Sequence, residues 1–197
     1  MTGLVLATGN PGKRREMEAL LTPLGVSLRL PAEWGTPFAP DENGQTFRDN
    51  ARIKAEAALK LTGLPSLADD SGLVVDALGG APGVFSARYG GEELSQEARN
   101  ALLLSEMEGM ENRAARFVCV LYCLFPDGRE LVAEGVCEGE ILRVPCGIGG
   151  FGYDPVFFVS TLRRGMAELS DGEKNAASHR GKAVESFIHQ WKMMLGD

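Results

Sequence analysis

Five short stretches of the sequence carry residue types that do chemistry. The first is Thr8-Gly9-Asn10-Pro11-Gly12-Lys13, set between an apolar run at residues 3–8 and a helical pattern. A glycine-rich turn from strand to helix directs backbone N–H groups from the positive end of the helix dipole, an arrangement that binds phosphate. Lys13 adds a point charge, and Thr8 and Asn10 add side-chain hydrogen bonds. The spacing is neither GxxxxGK[ST] nor GxGxxG. The plainer alternative is a tight turn with a surface lysine.

The second stretch is Asp69-Asp70, at the end of a short apolar run. Neighbouring side chains on a strand point to opposite faces, so the two carboxylates need not share a role. A carboxylate at a strand end, close to a phosphate loop, suits Mg²⁺ or serves as a general base for water. The alternative is a turn cap, since Asp and Ser favour turns. The third stretch, Asp41-Glu42, lies in a loop rich in proline and glycine. It matters chemically only if it meets Asp70 around one metal. The fourth is Gly150-Phe151-Gly152-Tyr153-Asp154. Phe151 or Tyr153 can stack on a purine, and Asp154 can accept from a ring N–H; the alternative tucks the aromatics into the core. In the fifth, Lys174, Ser178, His179, Arg180 and Lys182 concentrate donors before the last helix. Such donors favour a base with a 6-oxo group over one with a 6-amino group. The alternative is a solvated basic face. His189 reads as a helix-surface residue.

The elements that must position these residues follow from periodicity and punctuation. Strands are expected at 3–8 and 26–30, with a helix at 12–24 that turns Met17, Leu20, Leu21 and Leu24 to one side. A loop runs from Pro31 to Gly44. Thr46 caps a helix of about 16 residues with Asp49 as its capping-box partner. The apolar stripe of that helix is Phe47, Ala51, Ala55, Ala58 and Leu59, and Asn50 and Lys54 lie off it. Two strands are expected around the acidic pair, one from Pro65 to Asp70 and another from Leu73 to Leu78. A glycine-rich loop at 79–91 and a helix at 93–108 follow. Strands at 114–125 and 129–142 flank the turn Pro126-Asp127-Gly128, and a short strand covers 156–159. The last helix buries Ala183, Val184, Phe187, Trp191 and Leu195. Early alternation of strands and helices with a later hairpin gives an α/β fold with a mixed sheet.

The 197 residues suit one substantial domain. A formal net charge of −7 argues against broad nucleic-acid binding, which needs a basic footprint. No apolar run reaches the ~20 residues that span a bilayer, and no secretory signal pattern is evident. Cys119, Cys123, Cys137 and Cys146 form no CxxC, which disfavours a metal or disulfide role, and Cys119 and Cys123 sit in an apolar run where they read as small hydrophobes. A cytoplasmic protein without a membrane or nucleic-acid partner is expected.

The ordered set TGNPGK, ADDSGL, GGAPGVFSARYGG, GGFGYDPVFF and SHRGKA resembles the inosine/xanthosine triphosphate pyrophosphatase family, from about residue 3 to about residue 190. The resemblance implies Mg²⁺-dependent hydrolysis of ITP, dITP and XTP to the monophosphate and pyrophosphate. It also implies a single domain over residues 1–197, an elongated α/β fold with two lobes and a central substrate cleft, and a homodimer. Carried over by position, the triphosphate loop is Thr8, Gly9, Asn10, Pro11, Gly12 and Lys13. The loop metal carboxylate falls on Asp41, with Glu42 as the alternative because many members have Glu there. Asp70 is the metal-bound catalytic carboxylate and Ser71 a substrate contact. Base recognition falls on Phe151, Gly152, Tyr153, Asp154, Lys174, His179 and Arg180. Lys54 is expected to touch phosphate, with a solvated helix face as the alternative. Two rival functions stay open: a pyrophosphatase for pyrimidine or methylated nucleotides, and a non-catalytic nucleotide sensor.

Overall fold

The computed structural model describes residues 2–35 and 38–195. Part of the Pro31–Gly44 loop, residues 36–37, and the side chain of Leu195 lie outside the described residues. The strands are β1 (Thr2–Leu6), β2 (Val26–Arg29), β3 (Ser66–Val75), β4 (Ala114–Leu124), β5 (Glu130–Ile141), β6 (Phe157–Val159) and β7 (Arg164–Gly165). The helices are α1 (Pro11–Leu21), α2 (Phe47–Thr62), α3 (Gln96–Glu106), α4 (Asp171–Ala177) and α5 (His179–Leu195).

The strands form one sheet in the order β2-β1-β3-β4-β5-β6-β7. β1 pairs in parallel with β2 on one side and with β3 on the other, whereas β6 pairs antiparallel with β5 and β7. The fold is therefore α/β with a mixed sheet, as expected. β3 is one continuous ten-residue strand, not two strands broken after Asp70. Asp-Asp-Ser-Gly has turn composition, but partners distant in sequence satisfy both carboxylates, so the extended chain keeps its course. Leu73 adds to this by donating its N–H to Ser86 Oγ at 2.9 Å.

The chain divides into two compact units. The first comprises residues 1–70, 119–135 and 180–197. Its core gathers Leu4, Leu6, Met17, Leu67, Leu121 and Phe187, all almost without solvent exposure. Inner-face positions of α5, namely Ala183, Val184, Phe187 and Trp191, are buried there as the helical period requires. The second unit comprises residues 71–118 and 136–179, with a core that includes Leu73, Leu103, Tyr153, Phe157 and Met166. Cys119, Cys123 and Cys137 are free and buried, in keeping with a hydrophobic role. Among the described residues no helix is long and apolar enough to cross a membrane.

Candidate active site

In the first unit the chain leaves β1, crosses through α1 to β2 on one side, and returns through α2 to β3 on the other. Such a reversal of strand order opens a crevice at the carboxyl ends of the strands. Register puts the reactive stretches there. Leu6 pairs with Leu67, and the Ala7 N–H donates to Leu67 O at 2.8 Å. Asp69 and Asp70 therefore continue past the end of β1, beside the turn that starts at Thr8.

That turn is stabilised by its own side chains. Asn10 is the N-cap of α1, its Oδ1 accepting from the N–H groups of Gly12 at 2.9 Å and Lys13 at 3.1 Å. Thr8 Oγ1 accepts from the Asn10 N–H at 3.1 Å, and Pro11 opens the helix where no N–H is needed. The sequence suggested open amides, with Thr8 and Asn10 adding side-chain hydrogen bonds to a phosphate. Instead Asn10 caps two of those amides, because an uncapped helix end needs an acceptor whether or not an anion is bound. The outer face of the turn, Thr8 to Pro11, lines a cavity of ≈ 260 Å³ together with Pro31 and Phe38.

The two aspartates occupy opposite environments, as strand alternation requires. Asp69 is 1% exposed. Its Oδ1 lies 2.5 Å from Lys13 Nζ, and its Oδ2 accepts from Arg180 Nε at 2.8 Å and from the Cys119 thiol at 3.1 Å. Arg180 also pairs through Nη1 with Glu16, one turn beyond Lys13 on α1. Burial alone would raise the Asp69 pKa, but Arg180 and then Lys13 outweigh it and hold the carboxyl well below the usual range. The same burial, reinforced by the Asp69 charge, pushes the Cys119 thiol well up.

Asp70 meets Lys54 instead. Lys54 Nζ lies 2.8 Å from Asp70 Oδ1 and 2.7 Å from Glu42 Oε2. Burial raises the Asp70 pKa; Lys54 and Lys13 oppose that shift and the Glu42 charge adds to it. For Lys54 burial pulls the pKa down, but Asp70 and Glu42 together reverse the direction and raise it. The face of α2 bearing Asn50 and Lys54 is buried, not solvated. Asn50 fixes the acidic loop, its Oδ1 accepting from the Gly44 N–H at 2.8 Å. A Cβ on Gly44 would come within 2.7 Å of that same Oδ1, so the loop reaches α2 only with glycine there. The loop thereby presents Glu42 to Asp70's partner, while Asp41 is exposed. Ser71 follows Asp70 on β3, half-buried.

Two carboxylates at one cation position are also what a hard divalent ion takes, its coordination completed by water and phosphate oxygens. Glu42 and Asp70 fit Mg²⁺ on that ground. Among the described residues no group of three or more His, Cys, Asp or Glu gathers as a complete cage.

The second unit holds the remaining candidates. Lys174, buried on α4, places Nζ 2.5 Å from Asp154 Oδ2 and 4.6 Å from the centre of the Phe151 ring. The same carboxylate oxygen accepts from the Phe151 N–H at 2.7 Å. A Cβ on Gly150, whose φ is +71°, would collide with that carboxylate. Asn100 donates to the Gly152 carbonyl at 3.1 Å and steadies the turn; nothing in the sequence marked it. Tyr153 is committed to the core, its hydroxyl donating to Ser86 O at 3.0 Å, which leaves Phe151 as the half-buried aromatic of the pair. His179 is buried and stacks on Phe117, ring centres 4.8 Å apart. Phe151, Asp154 and Lys174 thus assemble as one constellation. Arg180, grouped with them by sequence, belongs to the first unit and to Asp69 and Glu16. His189 is exposed, as expected.

Comparison with known proteins agrees with the order of the motifs. The model of the Ham1 family matches residues 4–190. A dITP/XTP pyrophosphatase of Thermus thermophilus is 51% identical over 191 residues, covering 96% of this chain and 91% of the relative. One of Geobacillus kaustophilus is 48% identical, covering 100% and 97%. Among solved structures, a HAM1 protein from Coxiella burnetii superposes with a TM-score of 0.88 at 44% identity, covering 100% of this chain and 99% of that one. A match over nearly the whole length, in sequence and in fold, places this chain in the Ham1 family.

Proposed function

We propose that this protein hydrolyses non-standard purine nucleoside triphosphates, ITP, dITP and XTP, to the monophosphate and pyrophosphate with Mg²⁺ as cofactor. The observation that carries this reading is the meeting of Asp70 and Glu42 at one ammonium, beside a glycine-rich strand–helix turn whose Lys13 is anchored on the neighbouring Asp69. The relatives' names, dITP/XTP pyrophosphatase, support the substrate class.

In this reading Glu42, not Asp41, joins Asp70 as metal carboxylate. Mg²⁺, when bound, would neutralise phosphate oxygens and polarise the phosphoryl group. Asp70 orients the attacking water and takes its proton. Lys13 and Lys54 neutralise charge on the departing pyrophosphate, and Thr8 and Gly9 hold the triphosphate along the turn. Phe151 stacks on the base, and Lys174 and His179 read its 6-oxo group, with Asp154 holding Lys174 in place. A 6-amino group would set donor against donor and leave a buried polar group unpaired, which selects against ATP more strongly than an apolar pocket could. We further propose that Arg180 fixes Asp69 rather than the base, and that the protein is a cytoplasmic homodimer, which light scattering would check.

The test is pyrophosphate release with Mg²⁺ across ITP, XTP, dITP, GTP and ATP. ITP, XTP and dITP should turn over well above ATP. Asp70→Asn should lose about 10²–10⁴-fold in turnover, the range of a positioned base, with the fold intact by circular dichroism. Wild-type-like ITP hydrolysis by that variant would overturn the role of Asp70. No pyrophosphate from any triphosphate would favour a nucleotide sensor instead.

A further inference from the structure

We propose that Lys54 holds the place of the divalent ion in the nucleotide-free protein, so that the ion enters with the nucleotide and not before it. This rests on the reading of Glu42 and Asp70 as the metal carboxylates. Lys54 Nζ lies 2.7 Å from Glu42 Oε2 and 2.8 Å from Asp70 Oδ1. A small divalent ion held by those oxygens needs about 2.0–2.1 Å to each, so it would take the same point in space. Ammonium and ion repel, and little water reaches them to screen the repulsion, since the side chains of Lys54 and Asp70 are 8% and 9% exposed.

The backbone offers no retreat. α2 is fixed at its start by the reciprocal Thr46 and Asp49 capping box and along its length by Ala51, Ala55 and Ala58, each fully buried. Only the four-carbon stem of Lys54 can withdraw the ammonium. An ammonium leaving two carboxylates needs another anion within reach, or it stays. A triphosphate on the Thr8–Lys13 turn supplies that anion in the same unit. The nucleotide thus takes Lys54, and the freed carboxylates take the ion. Besides its contact with the phosphates, Lys54 in this account sets the order in which the two arrive.

The experiment measures Mn²⁺ binding without nucleotide, by electron paramagnetic resonance, for wild type, Lys54→Met, Lys54→Gln and the double variant Lys54→Met/Asp70→Asn. Circular dichroism establishes folding, and Lys54→Gln carries the test if Lys54→Met does not fold. Each single variant should bind Mn²⁺ at least about tenfold more tightly than wild type, because a neighbouring positive charge is gone. The double variant should lose that gain. Equal affinity in wild type and both single variants, within about twofold and abolished by Asp70→Asn, would overturn the ordered entry while leaving the metal site standing. A gain that survives Asp70→Asn would put the ion elsewhere and overturn both.

Discussion

Replacing Arg180 with Met removes the cation at the centre of a sealed cluster. Arg180 is 1% exposed and is the partner of Asp69, equally buried, and of Glu16. Methionine preserves much of the volume, so the cost is chiefly electrostatic. Asp69 retains Lys13, and Glu16 loses a charged partner. Breaking a buried pair by removing one member typically costs about 3–5 kcal/mol, because the other charge stays buried. For a chain of this size each kcal/mol lowers Tm by roughly 2–4 °C, so Arg180→Met should melt about 6–20 °C below wild type at pH 7. The control is Arg14→Met, whose partner Glu18 shares a solvated pair with side chains 49% and 42% exposed; it should cost at most about 0.5 kcal/mol. The Asp69 pKa is depressed in the fold, so its paired state stabilises the protein above the usual carboxylate value of 3.8 and that contribution fades in acid. The gap between wild type and variant should therefore narrow as pH falls below that value. Differential scanning calorimetry over this pH range makes the measurement. A Tm for Arg180→Met within about 2 °C of wild type at pH 7, like the Arg14→Met control, would refute the argument that this cluster is dry and interdependent.

Two further outcomes follow from the other sites. Phe151→Ala should lower kcat/KM by about 5–150-fold on every purine triphosphate tested, the worth of about 1–3 kcal/mol for one stacked base; an unchanged kcat/KM would remove Phe151 from the base site. All three tyrosines have raised pKa values: burial and Glu106 push Tyr89 to about 12, burial and Glu130 push Tyr122 to about 12, and burial raises Tyr153 further. The fold favours the neutral phenol, so this contribution is fully present below the usual value of 10 and is lost as pH rises through about 12. Phenolate absorbance at about 295 nm in the native protein should stay flat to beyond about pH 11, and an ordinary titration step near 10 would contradict these environments.

What could be read from the chain alone depended on how far each residue's partner lay along it. Helix α2 was legible because its signals are local: Thr46 and Asp49 are three apart, and Ala51, Ala55 and Ala58 repeat with the helical period. The opposite roles of Asp69 and Asp70 were legible as a geometric consequence of one residue's separation on a strand. Their partners were not. Arg180 lies 111 residues from Asp69, and its place in the motif SHRGKA associated it with its chain neighbours Lys174 and His179. The structure separates them at the helix start, where successive side chains leave about 100° apart. Lys54 was legible as a phosphate contact, with a solvated helix face as the alternative, because it lies off the alanine stripe of α2, but its carboxylate partners were hidden for the same reason. It is buried because Glu42 and Asp70 both reach it, and neither distance appears in any periodicity. Asp41 and Glu42 are adjacent in a loop, so no period chooses between them. It is Glu42 that meets Lys54, in a loop whose Gly44 closes on Asn50, a contact made only once α2 has formed.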